Sequence, residues 1–88
     1  MAVVHIPAHW RDHTGGRAAV EVRGRNLREI IESLDAACPG MKAVLTDDSG
    51  EVRPEIAVAI DSVVTESSLL EPVGPDADIY LVPAIAGG

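Results

Sequence analysis

The chain predicts one α+β domain, a small mixed sheet of four to five strands covered by one main α-helix. Three observations carry this. Short β-branched or alternating runs stand at both ends and in the middle of the chain, at residues 3–6, 18–22, 56–60 and 79–83. Between Leu27 and Cys38 the apolar residues switch to helical spacing. The 88 residues allow a single small core, and with no Phe, one Trp and one Tyr it must be built from Val, Ile, Leu and Ala.

Val3, Val4, His5 and Ile6 form a first strand stopped by Pro7, with Val4 and Ile6 sharing one face. Residues 8–17 contain Asp12, Thr14 and the pair Gly15-Gly16, and read as a loop. In the second strand, residues 18–22, Val20 and Val22 face inward and Glu21 outward. Gly24-Arg25-Asn26 breaks the pattern, and Asn26 with Glu29 three residues on forms a capping-box signature. Leu27, Ile30, Ile31, Leu34, Ala37 and Cys38 then make one apolar stripe, with Arg28, Glu32 and Asp35 off it, and Pro39-Gly40 ends the helix. Residues 41–45 make a short helical turn and residues 47–50 a loop. Residues 56–60 form an apolar third strand, Asp61-Ser62 a turn, and Val63-Val64 a short edge strand. Residues 67–73 are read as a single helical turn, residues 74–78 as a turn, and residues 79–83 as the last strand. Because the first and last strands are both apolar, they are placed centrally in the sheet as parallel neighbours.

Composition narrows the partners. Net charge is −7, and it is concentrated: residues 47–88 carry nine acidic side chains and one basic, whereas residues 1–46 carry five acidic and six basic. An acidic half argues against nucleic acid, whose binding rests on Lys and Arg, and is compatible with a basic protein partner. No stretch is apolar and long enough to span a bilayer, so no membrane role is expected. The first residues lack the basic and apolar regions of a secretory signal, so a cytoplasmic location is expected.

Several chemistry-bearing groups resolve into ordinary ones. His5, His9 and His13 recur every four residues, but Pro7 and Gly15-Gly16 put them on a strand and a loop, where no ligand set for a metal forms. Cys38, the only cysteine, lies in phase with the apolar stripe and reads as a small hydrophobe rather than a catalytic thiol. There is no phosphate-binding glycine motif. Asp47, Asp48, Glu51 and Glu55 are a solvated charge run. Trp10 is read as packing on the domain edge, with a partner contact as the alternative.

The ending is different. After the strand that finishes at Pro83 comes the charge-free segment Ala84-Ile85-Ala86-Gly87-Gly88. Glycine, with no Cβ, can thread a narrow channel and adopt backbone angles closed to other residues. Five extended residues reach about 17 Å, enough to carry a carboxylate into another protein's active site. Residues 1–83 are therefore read as the domain and residues 84–88 as a flexible C-terminal tail.

The strand order, the helix from Leu27 to Leu34, and the succession of turn, strand and tail from Gly74 to Gly88 resemble the ThiS/MoaD family of sulfur carriers. Thr14-Gly15-Gly16 after His13, with the ending from Pro83 to Gly88, is similar to its CysO-type members, which serve cysteine biosynthesis. The resemblance implies a β-grasp, ubiquitin-like fold and a protein carrier rather than an enzyme. It implies that an E1-like enzyme uses ATP to adenylate Gly88, where sulfur then becomes attached as a thiocarboxylate. Pro83, Ala84, Ile85, Ala86 and Gly87 would be the partner-binding tail. The carrier itself would bind no cofactor and no metal. The implied partners are a pyridoxal-phosphate-dependent cysteine synthase and a JAMM-type metalloprotease. One alternative is the small subunit of molybdopterin synthase, whose partner would be the large subunit, although Ala84 and Ala86 stand where those tails usually carry a second proline and Ser or Thr. The other alternative is a ubiquitin-like protein modifier.

Overall fold

The computed structural model describes residues 1–83. In chain order the elements are β1 (Ala2–His5), a 3-10 helix (Ala8–Thr14), β2 (Ala19–Val22), α1 (Leu27–Ala37), α2 (Met41–Leu45), β3 (Ile56–Ile60), β4 (Val63–Val64) and β5 (Asp78–Pro83). The strands form one mixed sheet in the order β2-β1-β5-β3-β4. β1 and β5 are parallel neighbours, with Val4 opposite Ile79, and β3 runs antiparallel to β5, with Val58 opposite Leu81. This is a β-grasp, ubiquitin-like sheet with α1 packed across one face.

Alternation sets the two faces. Val4, Val20, Val22, Val58, Ile79 and Leu81 point toward α1 and are buried, together with Leu27, Ile30, Ile31 and Leu34 from the helix. Full burial of each such side chain contributes about 1.5–3 kcal/mol. Ile6 joins this core just past the end of β1. Met41 and Leu45 from α2 close one end of it. One member departs from the predicted stripe. Cys38 is buried as the C-cap residue, but Ala37, the last residue of α1, is exposed.

Three N–H groups at the start of α1 that have no partner within the helix find acceptors outside it. The Leu27 N–H donates to the Glu71 carbonyl (2.9 Å) and the Arg28 N–H to the Leu69 carbonyl (3.0 Å). The Glu29 N–H donates to Asn26 Oδ1 (2.9 Å), and the regular helical ladder begins with the Ile30 N–H donating to the Asn26 carbonyl (3.1 Å). The Glu29 carboxylate reaches one residue beyond the usual capping box, accepting from the Arg25 N–H at 2.8 Å. These bonds explain why residues 67–73 are not the helical turn expected. The Leu69 and Glu71 carbonyls cap α1 and Pro72 bridges Asn26, so the segment is irregular, with Ser67 in the left-handed region (φ 61°) and a turn at Leu69-Leu70.

A second correction concerns residues 8–17, expected as a loop. Residues 8–14 coil into a 3-10 helix that starts after Pro7 and stops at Gly15 in the left-handed conformation (φ 65°). Its anchors are Trp10 and Thr14, both buried. The Thr14 hydroxyl lies 3.1 Å from the Arg11 carbonyl and 2.8 Å from the Arg17 carbonyl, which joins the two ends of the excursion. The β3–β4 hairpin follows expectation, with Asp61 and Ser62 both at positive φ (50° and 71°), as a tight hairpin turn requires.

Candidate functional site

β5 is the central strand, and its far end is where the chain departs toward residues 84–88. At its near end it lies between β1 and β3. The pairing with β1 covers Asp78 to Tyr80, whereas the pairing with β3 extends from Ile79 to Pro83. The asymmetry arises at Pro7, which turns the chain after β1 into the 3-10 helix. Pro83 stands opposite Ile56, the first residue of β3, and is half-buried. Of the residues predicted as the site, the structure therefore positions Pro83 at the root. Ala84, Ile85, Ala86, Gly87 and Gly88 lie outside the described residues.

A cleft of about 390 Å³ adjoins that root. Trp10, Val44 and Ile56 give it apolar walls, Pro83 forms one side, and His9, Arg53 and Glu55 add polar groups. Arg53 donates from Nη2 to the Ala43 carbonyl at 3.2 Å, tying the approach to β3 onto α2. Trp10 packs into the domain, as the sequence favoured, and also borders this cleft. The cleft was not legible in the sequence, because it brings together four separate segments of the chain.

The sheet face away from α1 carries Tyr80 and Val82, both exposed. The His5 and Tyr80 rings stack at 4.2 Å, nearly parallel, and His5 Nε2 lies 3.0 Å from Asp78 Oδ1. His9 and His13 stand on the 3-10 helix, exposed. Among the described residues, no group of three or more His, Cys, Asp or Glu side chains is placed to hold a metal ion. Cys38 is buried, with Arg17 Nη2 3.2 Å from its sulfur. Asp47 organises its own loop, accepting from the Ser49 hydroxyl (2.6 Å) and from the Ser49 and Glu51 N–H groups. The Ser49 hydroxyl is the main cause holding the Asp47 carboxyl below its ordinary value. Among the described residues no helix is long and apolar enough to cross a membrane.

The fold and the placement of the last strand define a small β-grasp protein of the ubiquitin-fold class. No protein-family model matches the chain, and no curated protein matches it. Solved structures do. The chain is similar to CysO of Amycolatopsis orientalis, known in a BexX/CysO complex, with 30% identity over 100% of both chains and a TM-score of 0.93. It is similar to CysO of Mycobacterium tuberculosis, with 25% identity, a TM-score of 0.89, and coverage of 97% of this chain and 100% of that one. SAMP1 of Haloferax volcanii shares the fold at 22% identity, with a TM-score of 0.78 and coverage of 99% of this chain and 98% of that one. The chain belongs to the CysO-type group of ThiS/MoaD-like, ubiquitin-fold sulfur carriers.

Proposed function

We propose that this chain carries sulfur on the carboxyl group of Gly88 for biosynthesis, and that the product is cysteine. The supporting observation is end-to-end similarity to CysO at 30% identity. A carboxylate is a poor electrophile. In the proposed cycle, an E1-like enzyme lets a Gly88 oxygen attack the α-phosphorus of ATP, and pyrophosphate leaves. A sulfur donor then attacks the acyl carbon and expels AMP, which leaves a thiocarboxylate. Sulfur is a soft nucleophile in that group, and residues 84–87 would deliver it into the acceptor enzyme. The domain acts as a handle, and the bond-making groups belong to its partners.

The proposed acceptor is a pyridoxal-phosphate-dependent cysteine synthase, and a JAMM-type metalloprotease would release the product. The test is intact-mass spectrometry after incubation with the cognate E1-like enzyme, ATP and a sulfide source. The mass should rise by the difference between sulfur and oxygen, localised to Gly88, and deleting Gly87 and Gly88 should abolish the change. An unmodified carboxylate under those conditions refutes the reading.

A further inference from the structure

The cleft beside Pro83 has a shape and position that the tail chemistry leaves unused. Trp10 borders it, a residue only 8% exposed and so held by the domain around it. Val44 and Ile56 continue the apolar surface, and the Arg53–Ala43 hydrogen bond holds the walls together. It is an open notch that mixes apolar surface with polar groups, Arg53 offering a cationic donor and His9 and Glu55 standing beside it, and such a mixed site can take an anchoring side chain that ends in a polar group.

Its position says whose side chain that is. Pro83 is part of the cleft wall, so residues 84–88 start from its edge. Five residues span at most about 17 Å. An enzyme that draws Gly88 to its nucleotide must bring the mouth of its active site close to Pro83, and the cleft then lies under that mouth. The inference rests on the proposed activation of Gly88.

From this we infer that the Trp10 cleft is a docking notch for the enzyme that activates Gly88. The enzyme inserts an anchoring side chain between Trp10 and Val44 and presents its polar end, a hydrogen-bond acceptor, to Arg53. Such a contact fixes where the tail enters, so it governs capture of the carrier rather than the chemical step.

Two measurements test this with the full chain. Trp10 is the only tryptophan, so 15N-labelled carrier gives one indole N–H resonance. Adding the unlabelled cognate E1-like enzyme to saturation should shift that resonance. Ala43 is exposed on the cleft wall, and Ala43→Glu places a charged side chain in the path of the incoming one. In the ATP-dependent activation assay, that variant should melt like the parent and raise KM for the carrier by about tenfold or more, the effect of losing a central anchor, with kcat unchanged. An unshifted indole resonance at saturation, or a KM within twofold of the parent for the folded variant, overturns the notch while the sulfur reading stands. Failure of the unaltered chain to be adenylated at all overturns both.

Discussion

Replacing Gly24 by alanine tests how closely the chain before α1 is packed onto that helix. Alanine is the better residue almost anywhere that glycine is not required, and Gly24 does not have a positive φ, so backbone strain is not at issue. The obstacle is steric. A Cβ there would sit 2.8 Å from the Ile30 nitrogen, 2.9 Å from the Glu29 Cβ and 3.0 Å from the Glu29 carbonyl carbon. Two of these atoms are helix backbone and cannot rotate away, so the approach segment must move. The neighbouring bonds from the Arg25 N–H to Glu29 Oε1 (2.8 Å) and from the Val73 N–H to the Arg25 carbonyl (2.9 Å) would then lengthen. Overpacking of this kind costs about 1–3 kcal/mol. For a domain of this size, a loss of about 2 kcal/mol lowers Tm by roughly 8–16 °C. Gly74 is the internal control, since nothing lies within 4 Å of a Cβ there and its φ is not positive either. Gly74→Ala should be neutral or stabilise by up to about 1 kcal/mol through the unfolded chain. Thermal and urea melts followed by far-UV circular dichroism and by Trp10 emission measure both variants. If Gly24→Ala melts with Gly74→Ala, the close approach carries no energetic weight and the reasoning fails.

Asn26→Ala removes the Oδ1 that accepts from Glu29, and urea melts should show a loss of about 1 kcal/mol. Leu34→Ala, at a side chain 1% exposed under the sheet, should cost about 2–5 kcal/mol by the same melts. The Asp47 carboxyl titrates below its ordinary value in the folded chain, chiefly through the Ser49 hydroxyl. Its stabilising effect is therefore fully present above the unfolded value of about 3.9 and is lost as pH falls through the lower folded value. Asp47→Asn should flatten the acid limb of a stability–pH curve below about pH 4 and leave the neutral limb's shape unchanged. A steeper acid limb in the variant would contradict the hydrogen-bond assignment.

What the sequence made legible divides along physical lines. Strands β3 and β4 and helix α2 fall where local pattern put them, because a five-residue apolar run, a hairpin turn and a Pro-Gly break are each decided by neighbours in the chain. The α1 stripe was readable for the same reason, and only Ala37 departs from it, at the point where helical geometry ends. The failures are tertiary. Nothing local in Ser67 to Val73 indicates that its carbonyls will serve the N-terminus of a helix some forty positions earlier in the chain. The 3-10 helix has no apolar period of its own, and the burial of Trp10 and Thr14 is set by the folded chain around them rather than by a local pattern. The tail motif was plain in the sequence, but the cleft beside Pro83 could not be, since it joins the 3-10 helix, α2, the approach to β3 and the end of β5.

The unequal pairing of β5 leads to a further expectation about its dynamics. Ile79 and Tyr80 have a strand on each side, whereas Leu81, Val82 and Pro83 pair with β3 alone. Hydrogen bonding therefore weakens toward Pro83, while burial alternates along the strand, with Ile79 and Leu81 buried and Tyr80 and Val82 exposed. Local opening follows few neighbours and exposed backbone bonds. Amide exchange at neutral pH should therefore proceed near the global unfolding free energy at Ile79 and through a smaller, local opening at Val82. Residue-resolved hydrogen exchange by NMR distinguishes the two, and equal protection along the strand would show that β5 opens only as a unit. If the gradient is present, three residues beyond the tail can be released without unfolding the domain, adding about 10 Å of reach. A partner whose active site lies deeper than five residues can span would then draw on the end of β5, and binding it should strip protection from Val82 while leaving Ile79 unchanged.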